Sequence, residues 1–214
     1  QQATMEEPNS STAPEIVAFE DVFDASEQAV LTTVWDEQGP EGKFVKGRHG
    51  YTHYVVDGGE EGASTTGARG GLIILAHGVG TSSHMYRSLA RFLVTAGYTV
   101  IRYDFFGHGY SKLDTPNIWI PFEPDMYIDQ VEDILTVVNG GGGGGDNPQH
   151  IEAFVGHSTG GLVGIYAAQR WMASSSSSLF RPKTFILLSP AIYAAKVCTR
   201  VLDTGYAPCN RMMQ

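Results

Sequence analysis

The chain is short of basic residues: 14 Lys and Arg stand against 23 Asp and Glu, a formal net charge of −9. A phosphate-backbone partner needs clustered cations, so no nucleic acid is expected. Cysteine is scarce as well. Cys198 and Cys209 are too few for a disulfide framework and lack zinc-site spacing; pairing with each other and a reduced state both stay open. No apolar run approaches the roughly 20 residues that cross a bilayer, and the strongest stretch, residues 71–76, has strand length. No signal peptide is visible, which slightly favours the cytoplasm, while a first residue of Gln1 rather than Met leaves the natural start in doubt.

What is present is ordinary for a chain that buries a core: 42% hydrophobic, 17% charged and 11% aromatic, which excludes a fully disordered protein, a coiled coil and a collagen-like fibre. Residues 1–28 are polar and aperiodic and read as a flexible N-terminal extension. The glycine run 140–145 lacks the Gly-Lys-Ser/Thr ending of a phosphate loop and reads as a flexible insertion, as does the serine run 174–178.

Between the tracts, strand and helix patterns alternate. Residues 44–47 and 51–56 read as a hairpin pair, and residues 72–75 as a central parallel strand buried on both faces. A helix is predicted over residues 83–96, with Met85, Leu89, Phe92 and Leu93 as its apolar set and Gly97 as its stop. A strand at 99–103 follows, then a helix with Tyr127, Val131, Ile134, Leu135 and Val138 inward and Asp129, Glu132 and Asp133 among its polar positions. A strand at 151–155, a helix at 161–171 and a strand at 184–188 complete the series. The fold class is α/β, a mostly parallel sheet with helices on both faces, where chemistry gathers at the carboxyl ends of the strands.

Three strand ends carry unusual sequences. Gly156-His157-Ser158-Thr159-Gly160 is a G-x-S-x-G run between a strand and a helix. A serine hydroxyl is a poor nucleophile unless it is exposed, oriented and set beside a base. A sharp strand-to-helix turn would lift Ser158 above the sheet and leave no room for side chains at Gly156 and Gly160. Acyl transfer also needs two donors on the tetrahedral oxygen. The N–H of Thr159 is one candidate. The other is the N–H of Val79, in the run His77-Gly78-Val79-Gly80 after the central strand, where the His77 side chain is expected to bond local backbone. The third segment, residues 104–111, opens with Asp104 at a strand end and reads as a tight turn, with His108 as a base only in a minor alternative.

These segments, with the strand ending Leu188-Ser189-Pro190-Ala191, resemble the α/β-hydrolase superfamily, and within it the branch of monoacylglycerol lipases, lysophospholipases and serine aminopeptidase-like hydrolases. The resemblance covers roughly residues 42–195, the N-terminal part of the fold. It implies a core over residues 29–192 and the start of a cap at 193–214. It also implies a serine hydrolase acting on carboxylic esters, lipid esters above all, with neither cofactor nor metal. The partner is then a small-molecule or lipid ester, with room for peripheral membrane contact through the cap; nothing fixes the oligomeric state. One departure is Thr159, where the branch usually has methionine, which leaves the backbone donor but alters the acyl pocket.

The triad is incomplete in sequence. The family order is Ser, acid, His, yet the only acid after Ser158 is Asp203, within the expected cap, and all seven histidines precede Ser158. A truncated hydrolase, inactive as it stands, explains this most economically; a non-catalytic binding module of the same fold is the alternative. A dinucleotide-binding oxidoreductase is a lesser one, on the strength of Gly78, Gly80 and Asp104, although Ser83 occupies the third glycine position. His49 and His53 are four apart but lack a third ligand for a metal.

Overall fold

Strand β4 (Leu72–Ala76) is buried at all five positions because parallel neighbours pair with it on both sides, β5 (Thr99–Tyr103) and β7 (Ile151–His157). The computed structural model describes residues 13–34, 40–58, 71–114, 123–140, 151–173 and 180–191. The sheet runs β1 (Glu15–Val17), β2 (Lys43–Lys46), β3 (Gly50–Asp57), β5, β4, β7, β8 (Thr184–Leu188), and the short β6 (Lys112–Leu113) pairs with β3. Strands β1, β2 and β3 pair antiparallel, β3 joins β5 antiparallel, and β4, β5, β7 and β8 are parallel. The crossovers bring α3 (Arg87–Thr95) to one face and α4 (Pro124–Gly140) and α5 (Thr159–Ala173) to the other.

The larger core lies under α4 and α5, where Tyr127, Val131, Ile134 and Leu135 meet Phe154 and Trp171. The smaller one packs Tyr86 and Ala90 on Ile73, Leu75, Val100 and Val155. No helix among the described residues is long and apolar enough to cross a membrane.

Four differences from the sequence reading have physical causes. The expected flexible extension is structured from residue 15. β1 pairs with β2, and Val22, the last residue of α1 (Phe19–Val22), and Phe23 after it are buried against Phe44 and Tyr110, with α2 (Ala25–Val34) following. Short elements of this kind gain their stability from packing, which composition does not reveal. Second, the helix at 83–96 starts as a single 3-10 turn (Ser83–Tyr86) and buries Tyr86 and Ala90, while Met85, Leu89 and Phe92 of its expected inner set are exposed at 44%, 37% and 70%. Third, Glu132 and Asp133 are buried rather than solvated. Arg48 Nε bonds Asp133 at 2.9 Å, Arg170 reaches Glu132 at 3.0 Å, and the Trp171 N–H donates to Glu132 at 2.9 Å. Lastly, β7 runs two residues further than expected, so the strand itself delivers His157 to the edge of Ser158. Cys198, Cys209, Asp203, residues 1–12, the serine run, the glycines at 141–145 and the expected cap lie outside the described residues.

Candidate active site

Where β7 turns into α5, Ser158 has φ 52°, left-handed backbone that a residue with a Cβ rarely adopts. The strain is held from three sides. Its N–H donates to Leu188 O at 2.9 Å, and its carbonyl accepts from Leu162 N–H at 3.1 Å and Ala191 N–H at 3.0 Å. The end of β8 therefore pins the corner. A Cβ at Gly156 would overlap the Gly160 carbonyl, and one at Gly160 would overlap the Ala76 carbonyl, so both positions of the run require glycine for close backbone approach.

The loop after β4 lies directly beside this corner. Gly160 N–H donates to His77 O at 3.0 Å, and a Cβ on Gly78 would come within 3.0 Å of the Ser158 Cβ. Thr159 is the first residue of α5, where an amide has no intrahelical acceptor. Among the described residues, neither the Thr159 nor the Val79 N–H donates to a protein acceptor. Two unspent donors thus sit in segments that meet at Ser158.

His77 is fully buried and bonds backbone on both sides. Nδ1 lies 2.7 Å from Gly78 O, and Nε2 accepts the Phe105 N–H at 2.9 Å. One donor and one acceptor fit the neutral ring protonated at Nδ1, a tautomer assigned from these partners. Burial pushes its pKa down to about 4, against the smaller upward pull of its bond to Gly78. It therefore stays neutral at pH 7. His108 keeps Nδ1 3.2 Å from Phe106 O within its own turn. Neither ring hydrogen-bonds the Ser158 hydroxyl, which has no protein partner among the described residues.

The dinucleotide alternative finds no support in this geometry. The Asp104 carboxylate, which a dinucleotide site would turn to a ribose hydroxyl, is 1% exposed and accepts from His53 Nδ1 at 2.8 Å, Ser83 N–H at 2.7 Å and Tyr110 N–H at 3.1 Å. Burial raises its pKa, yet these bonds outweigh burial and bring it to about 2. His49 bonds Asp129 at 2.7 Å and His53 bonds Asp104, so each of the two histidines set four apart is engaged by a carboxylate.

Sequence reasoning passed over Tyr86 and the surroundings of His157. The Tyr86 hydroxyl donates to Ala76 O at 3.0 Å and also neighbours the His157 backbone, so it braces β4 and β7 just below the corner. The His157 ring packs on Gly78, with Nδ1 buried and unbonded among the described residues. A buried tyrosine on a helix gives no sequence signal that separates bracing from simple packing.

The sheet order, the crossovers and the strand–turn–helix corner define an α/β-hydrolase fold. Residues 67–211 match the hydrolase family model described as serine aminopeptidase, S33, and the chain belongs to that family. A comparison with curated proteins finds no match. Among solved structures it is similar to an esterase from Exiguobacterium antarcticum, at 13% identity and TM-score 0.52, over 77% of this chain and 56% of that one. A probable hydrolytic enzyme from Pseudomonas aeruginosa PAO1 shares 15% identity at TM-score 0.50, over 85% of this chain and 43% of that one. A thioesterase domain from the curacin biosynthetic pathway shares 18% identity at TM-score 0.51, over 77% and 54%. The chain spans about half the length of these structures.

Proposed function

We propose that this chain is the N-terminal part of a serine hydrolase that cleaves carboxylic esters through an acyl-enzyme on Ser158. The observation that carries this reading is the strained Ser158 flanked by the two unspent N–H donors of Val79 and Thr159. Membership of the serine aminopeptidase S33 family supports it.

In the proposed reaction Ser158 Oγ bonds to the ester carbonyl carbon while its proton passes to a general base. The carbonyl oxygen, now negative, sits between the Val79 and Thr159 N–H groups. Collapse breaks the carbon–oxygen ester bond, and the alcohol leaves with the proton. Water then adds to the acyl carbon, releasing the acid and restoring Ser158. The base is not among residues 159–214, which hold no histidine, so we assign turnover to a longer natural form and slow or no turnover to the 214 residues alone. Lipid esters of the monoacylglycerol or lysophospholipid type are the proposed substrates, and small peptide amides are the variant within the class.

A second reading, a non-catalytic binding module, draws on the unbonded Ser158 hydroxyl. Ester turnover by the longest natural form decides between them. Ser158→Ala is expected to lower kcat by a factor on the order of 10³ or more, with the protein still folded. Equal turnover by the variant and the parent would sink the nucleophile assignment, and no turnover by either would favour the binding module.

A further inference from the structure

The loop that carries Val79 is fixed at both ends by a segment outside it. At its start, His77 Nε2 accepts the Phe105 N–H at 2.9 Å. At its end, Asp104 Oδ1 accepts the Ser83 N–H at 2.7 Å. Both anchors come from the two residues that follow β5, Asp104 and Phe105, and five residues lie between the anchored positions in the loop, residues 78–82. Gly80, inside this span, has φ 76° and open space around it, so the loop contains a position at which the backbone turns freely.

Asp104 is more than one end of a hydrogen bond. Its other oxygen, Oδ2, takes the Tyr110 N–H and His53 Nδ1, and its backbone carbonyl takes the Ser111 hydroxyl at 2.7 Å and the Gln130 amide at 3.0 Å. A Cβ at Gly109 would overlap the carboxylate, so the turn leaves the side chain one position. His53, 2% exposed, bonds Asp104 with Nδ1 and reaches Glu41 O with Nε2 at 2.6 Å, so its ring ties Asp104 to β3 and to the segment just before β2. A buried carboxylate with three donors is rigid. Such an anchor transmits its position to what it holds, because its bonds are short, charge-assisted and shielded from water.

We infer that Asp104, clamped by His53, is a positioning residue for the 78–83 loop and, through Ser83 N–H, for the Val79 donor beside Ser158. The consequence for catalysis rests on the proposed role of Val79; the bracing of the loop does not. An oxyanion donor acts only when it is already aimed, and a removed donor costs a factor on the order of 10²–10³ in kcat. A donor on a loosened loop should cost part of that, in kcat more than in KM.

The loop itself is tested by amide hydrogen exchange on the 214-residue chain. Asp104→Asn keeps the shape but loses the charge and turns an N–H₂ toward donors. His53→Gln keeps a donor for Asp104 but not the ring's second bond. His49→Gln, which touches Asp129 instead, is the control. The expected result is exchange at the Ser83 amide, the one N–H of residues 78–83 that donates to a protein acceptor among the described residues, faster by at least about tenfold in Asp104→Asn and by a smaller factor in His53→Gln. Residues 156–162 and the His49→Gln protein should be unchanged. Unchanged loop exchange in Asp104→Asn overturns the inference, and so does an equal rise in both segments, which would make Asp104 an ordinary core residue. If Asp104→Asn does not fold, His53→Gln decides alone by the same two criteria.

In the longest natural form, Asp104→Asn should lower kcat for an ester at least about tenfold with KM within about twofold. A loss confined to KM removes the catalytic half of the inference. Failure of the Ser158 assignment shows separately, as undiminished turnover in Ser158→Ala, and leaves the exchange result standing.

Discussion

His77 holds a neutral imidazole where water does not reach, and that state has a thermodynamic signature. Its folded pKa of about 4 lies below the ordinary histidine value of about 6.5. Between those limits the unfolded chain binds a proton that the folded chain refuses, so stability falls as pH drops through the window. Above pH 6.5 the contribution is complete; below pH 4 it is gone. The loss is on the order of 3 kcal/mol, since each pKa unit is worth about 1.4 kcal/mol. Asp104 acts lower, with stability present above its ordinary pKa near 3.8 and lost as pH falls through about 2. Urea denaturation between pH 7 and 4 should therefore show a slope that His77→Gln flattens. Equal slopes in the two proteins would mean that His77 is hydrated in solution.

Helix α3 shows how an element can be correctly placed and wrongly faced. Its span and its stop at Gly97, where φ is 93°, follow from periodicity and punctuation, but its inner side does not. The opening 3-10 turn advances by three residues per turn rather than 3.6 and rotates the following face, which puts Tyr86 and Ala90 on the sheet and leaves Phe92 outside. Phe92→Ser should accordingly change stability by less than about 0.5 kcal/mol. Ala90→Leu, at a site with no exposure, should cost about 1–3 kcal/mol by overpacking. Thermal melts of the two variants check this, and a larger loss at Phe92 would reverse the facing. The strands were more legible. Buried parallel strands read as continuous apolar runs, and residues 184–188 were delimited to the residue. The candidate site was legible where it rests on glycine, at Gly78, Gly156 and Gly160, because close backbone approach leaves a mark in composition. The His53–Asp104 pair was not, since a contact between residues 51 apart in sequence carries no local pattern.

At the scale of the molecule, the described sheet ends at β8, which pairs only with β7. Ile186, Leu187 and Leu188 are exposed there at 43%, 36% and 42%, although the strand has the composition of a buried one. An apolar strand at an open edge is a template for pairing with another chain. The 214-residue protein is expected to associate with rising concentration, and Ile186→Lys should reduce that association, read by light scattering across a dilution series. Scattering that does not change on substitution would place the sticky surface elsewhere. Leu188 is a poorer choice for the test, because its carbonyl holds the Ser158 N–H.

The pairing of β4 with β7 shifts register between Leu72 and Ile73 and then runs true, so that Ala76 comes to lie opposite Gly156. One residue of a strand is about 3.3 Å long, more than a hydrogen bond. Misalignment at Ser158 is consequently digital: a slip of one notch downstream of the irregularity carries the loop wholly out of reach, and no half-step exists. The irregularity itself is the place where slack can be taken up. The extra residue there is Glu152 of β7, so a change of length in β7 before residue 153 can be absorbed, whereas between there and residue 160 only the exchange of one side chain for another keeps the strand in gear.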